Sequence, residues 1–264
     1  MGGGVEPGRT LLLFFTLTMQ RFLQFWLVFV LLPLGTTNAQ EECGAEVKLL
    51  LLPSQVQSAV RSLNPGKAEP GHVYFFDTAT LDLLSQGIIV RIRHGSTNDL
   101  TVKLRLESDK QMGDVSSRTE KYKCEIDLTG GTTQHSYSIS RNFIADVPET
   151  GNALFVVLSP SQKHLLERAQ APIDWTRVKR IATINSTDWI IPKQRSFPKL
   201  SLEFWEWPTD SVLELSAKAA SDDAAAVLLG LQQLAASKGL SSSKIQKSKT
   251  ALVLEDITHV SADK

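Results

Sequence analysis

The stretch "YFFDTATLDLLSQGIIVRIR", Tyr74–Arg93, contains two apolar segments joined by a short polar connection, and it decides the fold. The segments "YFFD" and "IIVRIR" are rich in the aromatic and β-branched residues that favour strands. Because strand side chains alternate between two faces, Arg91 and Arg93 share one face and Val90 and Ile92 the other. The stretch therefore predicts two neighbouring strands, the second of which carries a basic face.

The same alternation of polar and apolar residues continues in four other segments of the chain. The residues that share their polar faces are Glu46 and Lys48; Lys103, Arg105 and Glu107; Lys121, Lys123, Glu125 and Asp127; and Glu214, Ser216 and Lys218. One interpretation is an antiparallel sheet with a solvated face, which produces the same pattern. The other is a sheet that curls into a barrel with the charges inside. Buried charges must be paired or bind something, and arginine and lysine would hold a multiply charged anion while carboxylates hold a divalent cation.

Helical patterns interrupt the strands at three places. Apolar residues recur at helical spacing in "PSQVQSAVRSL", in residues 152–170 and in "DDAAAVLLGLQQLAASKGL", where Gly239 marks the end. Strands outnumber helices, and most neighbouring strands are joined by short turns. We therefore predict an α+β domain built on a large antiparallel sheet.

The N-terminal segment differs from the rest of the chain. Residues 21–34, "RFLQFWLVFVLLPL", are almost entirely apolar, and a T-x-A pattern ends at Ala39, which is typical of a secretory signal peptide. An uncleaved anchor is the alternative, since the upstream "LLLFFTLTM" could lengthen the apolar run towards the ~20 residues of a membrane helix. We predict a signal peptide over residues 1–39, a single domain over 40–264, and export to the periplasm, the extracellular space or the secretory pathway.

Two cysteines, Cys43 and Cys124, remain after the predicted cleavage site. In an oxidising compartment such a pair favours one disulfide. The alternative is two buried thiols, because free cysteine packs as a small apolar residue.

The overall charge excludes one class of partner. The chain has 28 basic and 28 acidic residues, and residues 1–39 contain only Glu6, Arg9 and Arg21 among them. A balanced chain gives no general attraction to duplex nucleic acid or to an anionic membrane. Any electrostatic recognition must therefore be local.

The order of the short motifs resembles that of the CYTH-like superfamily, the triphosphate tunnel enzymes. The motifs are "EVKLLL", the stretch from Tyr74, "TVKLR", "KCEID", and the late pair "LEFWEW" and "LELSAK". The resemblance implies an eight-stranded antiparallel β-barrel, or tunnel, with flanking helices. It also implies a triphosphate or polyphosphate ligand held with Mg²⁺ or Mn²⁺, as in inorganic, thiamine and RNA triphosphatases and some adenylate cyclases.

The resemblance also assigns roles to individual residues. Those expected to take part in catalysis are Glu46, Lys48 and Lys103. Those expected to bind phosphate are Arg91, Arg93, Lys103, Arg105, Arg180, Arg195 and Lys218. Those expected to bind the metal are Glu46, Glu125, Asp127, Glu203 and Glu214.

Two departures from the family pattern leave a second function open. Gly44 and Ser216 stand where the family carries acids, and Glu42, further upstream, is no simple replacement if Gly44 breaks the strand. Fewer carboxylates weaken a divalent-metal site. The alternative to a metal-dependent hydrolase is thus a non-catalytic module that binds an anion, or a structural or partner-binding module. In the last case Trp205 and Trp207 would form an exposed patch, unless they pack beneath a helix.

Overall fold

Nine strands close into a barrel in the computed structural model of the chain, which describes Met1 and residues 43–106, 120–168, 172–193, 197 and 199–262. The strands are β1 (Gly44–Leu51), β2 (Glu69–Asp77), β3 (Ile88–Gly95), β4 (Asp99–Leu106), β5 (Lys121–Thr129), β6 (Thr132–Asn142), β7 (Lys179–Ile191), β8 (Leu200–Glu206) and β9 (Ser211–Ala219). The helices are α1 (Val56–Leu63), α2 (Asp82–Ser85), α3 (Gly151–Val157), α4 (Pro160–Leu166), α5 (Ala224–Ser237) and α6 (Lys249–Ala262).

The strand order around the barrel is β1-β5-β6-β4-β3-β2-β7-β8-β9, and β9 closes it by pairing with β1. The predicted α+β barrel with flanking helices is confirmed, but it has nine strands where eight were expected, and the β1–β5 pair is parallel. β6 follows β5 through Gly130 and Gly131, whose positive φ angles suit a tight turn. β6 lies between β4 and β5, so β5 does not pair with β4. On its other side β5 pairs with β1, and these two strands run in the same direction.

The apolar faces of the strands point outward and are covered by helices. Val47 and Leu49 of β1 pack in one buried cluster with residues of α1 and α5, such as Leu231. Val90 and Ile92 of β3 pack in a second cluster with residues of α3 and α4. Burial of each such side chain contributes about 1.5–3 kcal/mol. Since these faces are covered, the alternating charged faces line the interior, and the barrel interpretation is confirmed.

One end of the interior is filled by apolar side chains and by α6. Leu50, Phe75 and Trp205 point inward and form a third cluster with Val253 and Leu254 of α6. Trp207 belongs to the same cluster and is 6% exposed, and its indole Nε1 donates a hydrogen bond to the Asp256 carboxylate of α6 at 2.8 Å. Both tryptophans therefore lie beneath a helix, and they do not form an exposed patch.

A disulfide joins Cys43 to Cys124, as predicted. The Cα atoms of Gly44 and Glu125, the residues that follow the two cysteines, are partners in the parallel β1–β5 pair. The bridge spans 81 residues of sequence, for which loop-closure entropy corresponds to about 4 kcal/mol of stability. It therefore fastens the two strands of the parallel β1–β5 pair to one another near the start of both strands. The predicted signal peptide lies outside the described residues.

Within the described part of the chain, no helix combines the length and the apolar character needed to cross a membrane.

Candidate functional site

The charged interior of the barrel encloses a cavity of about 140 Å³. Seven basic and four acidic side chains line it, together with hydroxyl groups from β4, β6 and the start of α6. Its wall is therefore cationic on balance. The alternation of strand side chains places these groups, because each strand contributes every second residue to the interior.

Asp127 is the centre of the first charge cluster. Its carboxylate accepts hydrogen bonds from the ammonium groups of Lys48 and Lys103, both at 2.6 Å, and from the Ser136 hydroxyl at 3.1 Å. Burial opposes its ionisation, but the two ammonium groups outweigh burial and hold the pKa of Asp127 well below the usual range. Asp127 is thus a permanent anion that fixes two lysines of the site.

Glu46 and Glu125 extend this cluster across the β1–β5 pair. The Lys218 ammonium lies 3.1 Å from Glu46 and 2.6 Å from Glu125, and Lys48 lies 3.2 Å from Glu46. Burial disfavours the ionised form of Glu46, yet Lys48 and Lys218 together lower its pKa well below the ordinary value. Glu46, Glu125 and Asp127 each offer one oxygen within 4.8 Å of the others, which is the donor set a hard divalent cation prefers.

Lys249, the first residue of α6, organises a second charge cluster. Its ammonium contacts the Glu203 carboxylate, lies 3.0 Å from an oxygen of Glu214, and sits 4.4 Å from the centre of the Trp205 ring. Burial lowers the affinity of Lys249 for its proton, but the two carboxylates reverse this and raise its pKa. Burial raises the pKa of Glu214, which is 2% exposed.

Arg91 and Arg105 are the two basic residues of the cavity wall that form no ion pair among the described residues. The buried Nε atom of each has no hydrogen-bond partner there either. Burial lowers the pKa of both guanidinium groups. Arg93 is different, because it donates two hydrogen bonds to Asp99, one of them at 3.2 Å. A buried guanidinium without a partner is costly unless a ligand supplies the counter-charge.

Lys103 is the basic group of the site that titrates closest to neutral pH. Burial lowers its pKa to about 8, and the neighbouring Lys48 acts in the same direction, although Asp127 opposes both. Lys48 shares Asp127 but also contacts Glu46, so its pKa is raised despite burial. Both lysines contact Asp127, but Lys48 has a second carboxylate partner in Glu46. The charge of Lys103 is therefore less fully balanced, and an anionic ligand would stabilise it.

The structure brings most of the predicted site residues together in the cavity or in the ion pairs beside it. These are Glu46, Lys48, Arg91, Arg93, Lys103, Arg105, Glu125, Asp127, Glu203, Glu214 and Lys218. Arg180 is not among them. It pairs with Glu149 at 2.6 Å and lies over the Tyr74 ring, on the outer face. A register shift between Phe75 and Phe76, where β2 pairs with β7, explains the change of face. Arg195 and Glu107 lie outside the described residues.

Several residues of the interior were missed by the sequence analysis. β6 supplies Ser136, Ser138 and Ser140, whose alternation with Tyr137 and Ile139 is a strand signal that could have been found. Lys249 gave no such signal, because it comes from a helix end. Asp188 is also part of this region: burial, and then the Glu203 charge opposite it, raise its pKa to about 6.

The positions without acids are both in ordinary strand structure. β1 begins at Gly44, so this glycine does not break the strand, and a Cβ atom there would meet only the Ala219 carbonyl oxygen at 4.0 Å. Ser216 is buried on β9, where it is the Cα partner of Lys48. Position 44 therefore has room for a Cβ atom, although the chain carries no side chain there. Glu42 lies outside the described residues.

Comparison with known proteins identifies the fold. No protein-family model and no curated protein sequence matches the chain. Among solved structures, HpAC1 from Hippeastrum, studied as an adenylyl cyclase and found to have a dominant triphosphatase activity, matches with a TM-score of 0.54 and 19% identity, over 78% of this chain and 93% of its own. A protein of Bacillus halodurans, named for adenylate cyclase activity, matches with a TM-score of 0.53 and 14% identity, over 80% and 97%. The chain shares the barrel fold of these two proteins, in agreement with the fold that the sequence resemblance implies.

Proposed function

We propose that the charged interior of this barrel binds a small polyanion with several phosphate groups, a triphosphate or a polyphosphate. The observation that carries the proposal is the pair of buried guanidinium groups, Arg91 and Arg105, that have no carboxylate partner among the described residues. Guanidinium groups bind phosphate through paired hydrogen bonds, and each charge-assisted bond contributes about 1.5–3 kcal/mol.

Three further features support a phosphate ligand. Lys103 points into the same cavity and shares with Lys48 the one carboxylate that it contacts among the described residues, Asp127. Ser138 and Ser140 line the wall and can donate hydroxyl hydrogen bonds to phosphate oxygens. The cationic balance of the wall suits a ligand with several negative charges, which a single carboxylate ligand would not neutralise.

Isothermal titration with tripolyphosphate tests the proposal. We expect saturable binding with one ligand per chain, and binding that persists at about 0.15 M salt because buried contacts are poorly screened. Orthophosphate, with fewer charges, should bind much more weakly. The proposal would be contradicted if tripolyphosphate and long-chain polyphosphate gave no heat of binding and no thermal shift.

Hydrolysis with a divalent metal is the second candidate function. The observation that favours it is the acidic cluster of Glu46, Glu125 and Asp127. The donor chemistry suits Mg²⁺ or Mn²⁺, which would polarise a phosphoryl oxygen, but every one of these carboxylates is already bonded to a lysine ammonium. The arrangement as it stands does not fit a metal. Phosphate release from tripolyphosphate, polyphosphate or ATP, measured with and without Mn²⁺, decides whether the protein turns over its ligand.

Binding is expected to weaken as the pH rises from 7 to 9. The pKa of Lys103 is about 8 in the folded protein, so its ammonium, present at pH 7, is mostly lost at pH 9. Losing one charge-assisted contact should lower the affinity for tripolyphosphate by about tenfold or more. The stability of the free protein moves the other way: above pH 8 the unfolded chain keeps this proton and the folded one does not, so this residue adds stability with rising pH.

The matched variant for this pH test is Lys103→Arg. Arginine stays protonated across the range, so the tripolyphosphate affinity of the variant should lose the change centred near pH 8. Titration calorimetry of both proteins at several pH values measures it. Identical pH profiles for the two proteins would show that Lys103 is not the titrating group.

A further inference from the structure

Two glutamates face each other across neighbouring strands in the interior of the barrel. Glu203 of β8 and Glu214 of β9 are direct Cα partners. Like charges placed opposite one another on one face of a sheet repel. Glu214 is 2% exposed and one of its oxygens has no hydrogen-bond partner, so water does not neutralise this pair. Such a pair requires a cation.

The protein supplies that cation from α6. The Lys249 ammonium contacts both carboxylates, and the lysine side chain is 11% exposed. The Trp205 ring covers the same ammonium at 4.4 Å, which favours a monovalent organic cation at this position. Val253 and Leu254, one turn further along α6, are buried in the barrel interior and hold the helix end in place.

The first acidic cluster is neutralised in the same way. Lys218 bridges Glu46 and Glu125, while Lys48 and Lys103 both bond Asp127. All five carboxylates expected to bind a metal therefore contact a lysine ammonium. A divalent ion would compete at these carboxylates with amines that are covalently attached to the barrel or to α6.

We propose that the Lys249 ammonium, tethered by α6 between Glu203 and Glu214, takes the place of a divalent cation, so that this protein holds its anion without a metal. The inference rests on the proposed function for the identity of the anion. It adds that the counter-charges of the carboxylates are built into the chain. It also gives α6 a role in the site, because the packed helix places the Lys249 ammonium between Glu203 and Glu214.

The test uses Mn²⁺ alone, with no anion present, and follows binding by electron paramagnetic resonance and by thermal unfolding. The wild-type protein should show no saturable Mn²⁺ binding below about 1 mM. In Lys249→Ala the two glutamates lose their cation, and we expect Mn²⁺ to bind with a Kd of about 0.1–1 mM, the range of weak carboxylate sites, and to raise the Tm. Lys249→Gln is the second variant, should the alanine protein fail to fold.

Lys247→Ala is the matched control, because Lys247 lies two residues earlier and pairs with Glu255 at the surface. It should bind no Mn²⁺. Adding Glu214→Gln to Lys249→Ala should abolish the gain, because only one carboxylate then remains. Saturable Mn²⁺ binding by the wild type, or a folded Lys249 variant that gains none, would overturn the inference.

A second arm measures tripolyphosphate binding to the wild type in EDTA. Affinity in EDTA within about threefold of that in Mn²⁺ supports metal-free binding, whereas binding only in Mn²⁺ overturns it. Absence of tripolyphosphate binding under both conditions would refute the proposed ligand. The Mn²⁺ measurements without anion would still report on Lys249, so the two failures are distinguishable.

Discussion

Replacing Arg91 with methionine should weaken tripolyphosphate binding by about 10- to 100-fold while leaving the folded protein at least as stable. The loss follows from removing a guanidinium that makes charge-assisted bonds to phosphate, each contributing about 1.5–3 kcal/mol. The stability follows from the structure, where Arg91 has no ion pair among the described residues and burial lowers its pKa. Methionine fills similar space without a charge to bury.

Two measurements on Arg91→Met are needed together. Calorimetry gives the affinity for tripolyphosphate, and thermal unfolding without ligand gives the stability. Arg61→Met is the matched control, because Arg61 is an exposed arginine of α1 that donates a hydrogen bond to Ser58 at the surface, and its replacement should change neither quantity. A large fall in the Tm of Arg91→Met with unchanged affinity would mean that the guanidinium has a structural role.

Asp127→Ala is expected to have the opposite signature, a large loss of stability. The substitution leaves Lys48 and Lys103 buried without the carboxylate that both contact at 2.6 Å. Removing one partner of a buried ion pair costs about 3–5 kcal/mol, which for a domain of this size lowers the Tm by about 6–20 °C. Differential scanning calorimetry at pH 7 measures the effect.

The pH dependence of the Asp127→Ala effect provides an internal check. Since the pKa of Lys103 is already about 8 with Asp127 present, Lys103 sheds its proton readily once the carboxylate is gone. The loss of Tm should therefore be smaller at pH 9 than at pH 7. The exposed Asp146 offers a control, and Asp146→Ala should shift the Tm by less than about 2 °C. A similarly small shift for Asp127→Ala would contradict the role given to this carboxylate.

The sequence predicted which charges share a face because the signal is local. Arg91 and Arg93, or Glu125 and Asp127, lie two residues apart in one strand, and a period of two fixes their common face. It did not predict which of these charges pair. That depends on register between strands distant in sequence, as in the contact of Asp127 with Lys48, 79 residues away. The same limit explains Arg180, whose face is set by an irregularity in the pairing of β7 with β2.

The contribution of α6 was beyond reach of the sequence for a different reason. "SKTALVLEDI" has no clear apolar stripe, because four apolar residues follow one another from Ala251 to Leu254. The face of α6 that enters the barrel combines two of them, Val253 and Leu254, with the polar Thr250 at the cavity wall. Lys249 looks like one of several lysines in residues 244–249. The difference between the two lysines is visible only in the structure, where packing of α6 buries Lys249 and leaves Lys247 at the surface.

The position of β1 in the barrel has a consequence for the protein during its synthesis. β1 is the first strand of the described chain, yet one neighbour, β5, begins at Lys121, and the other, β9, at Ser211. Until both strands have left the ribosome, Glu46 and Lys48 have no barrel interior to face, and Lys249 follows later still. An unfinished chain that lacks β5, β9 or α6 therefore cannot form the interior for which anion binding is proposed.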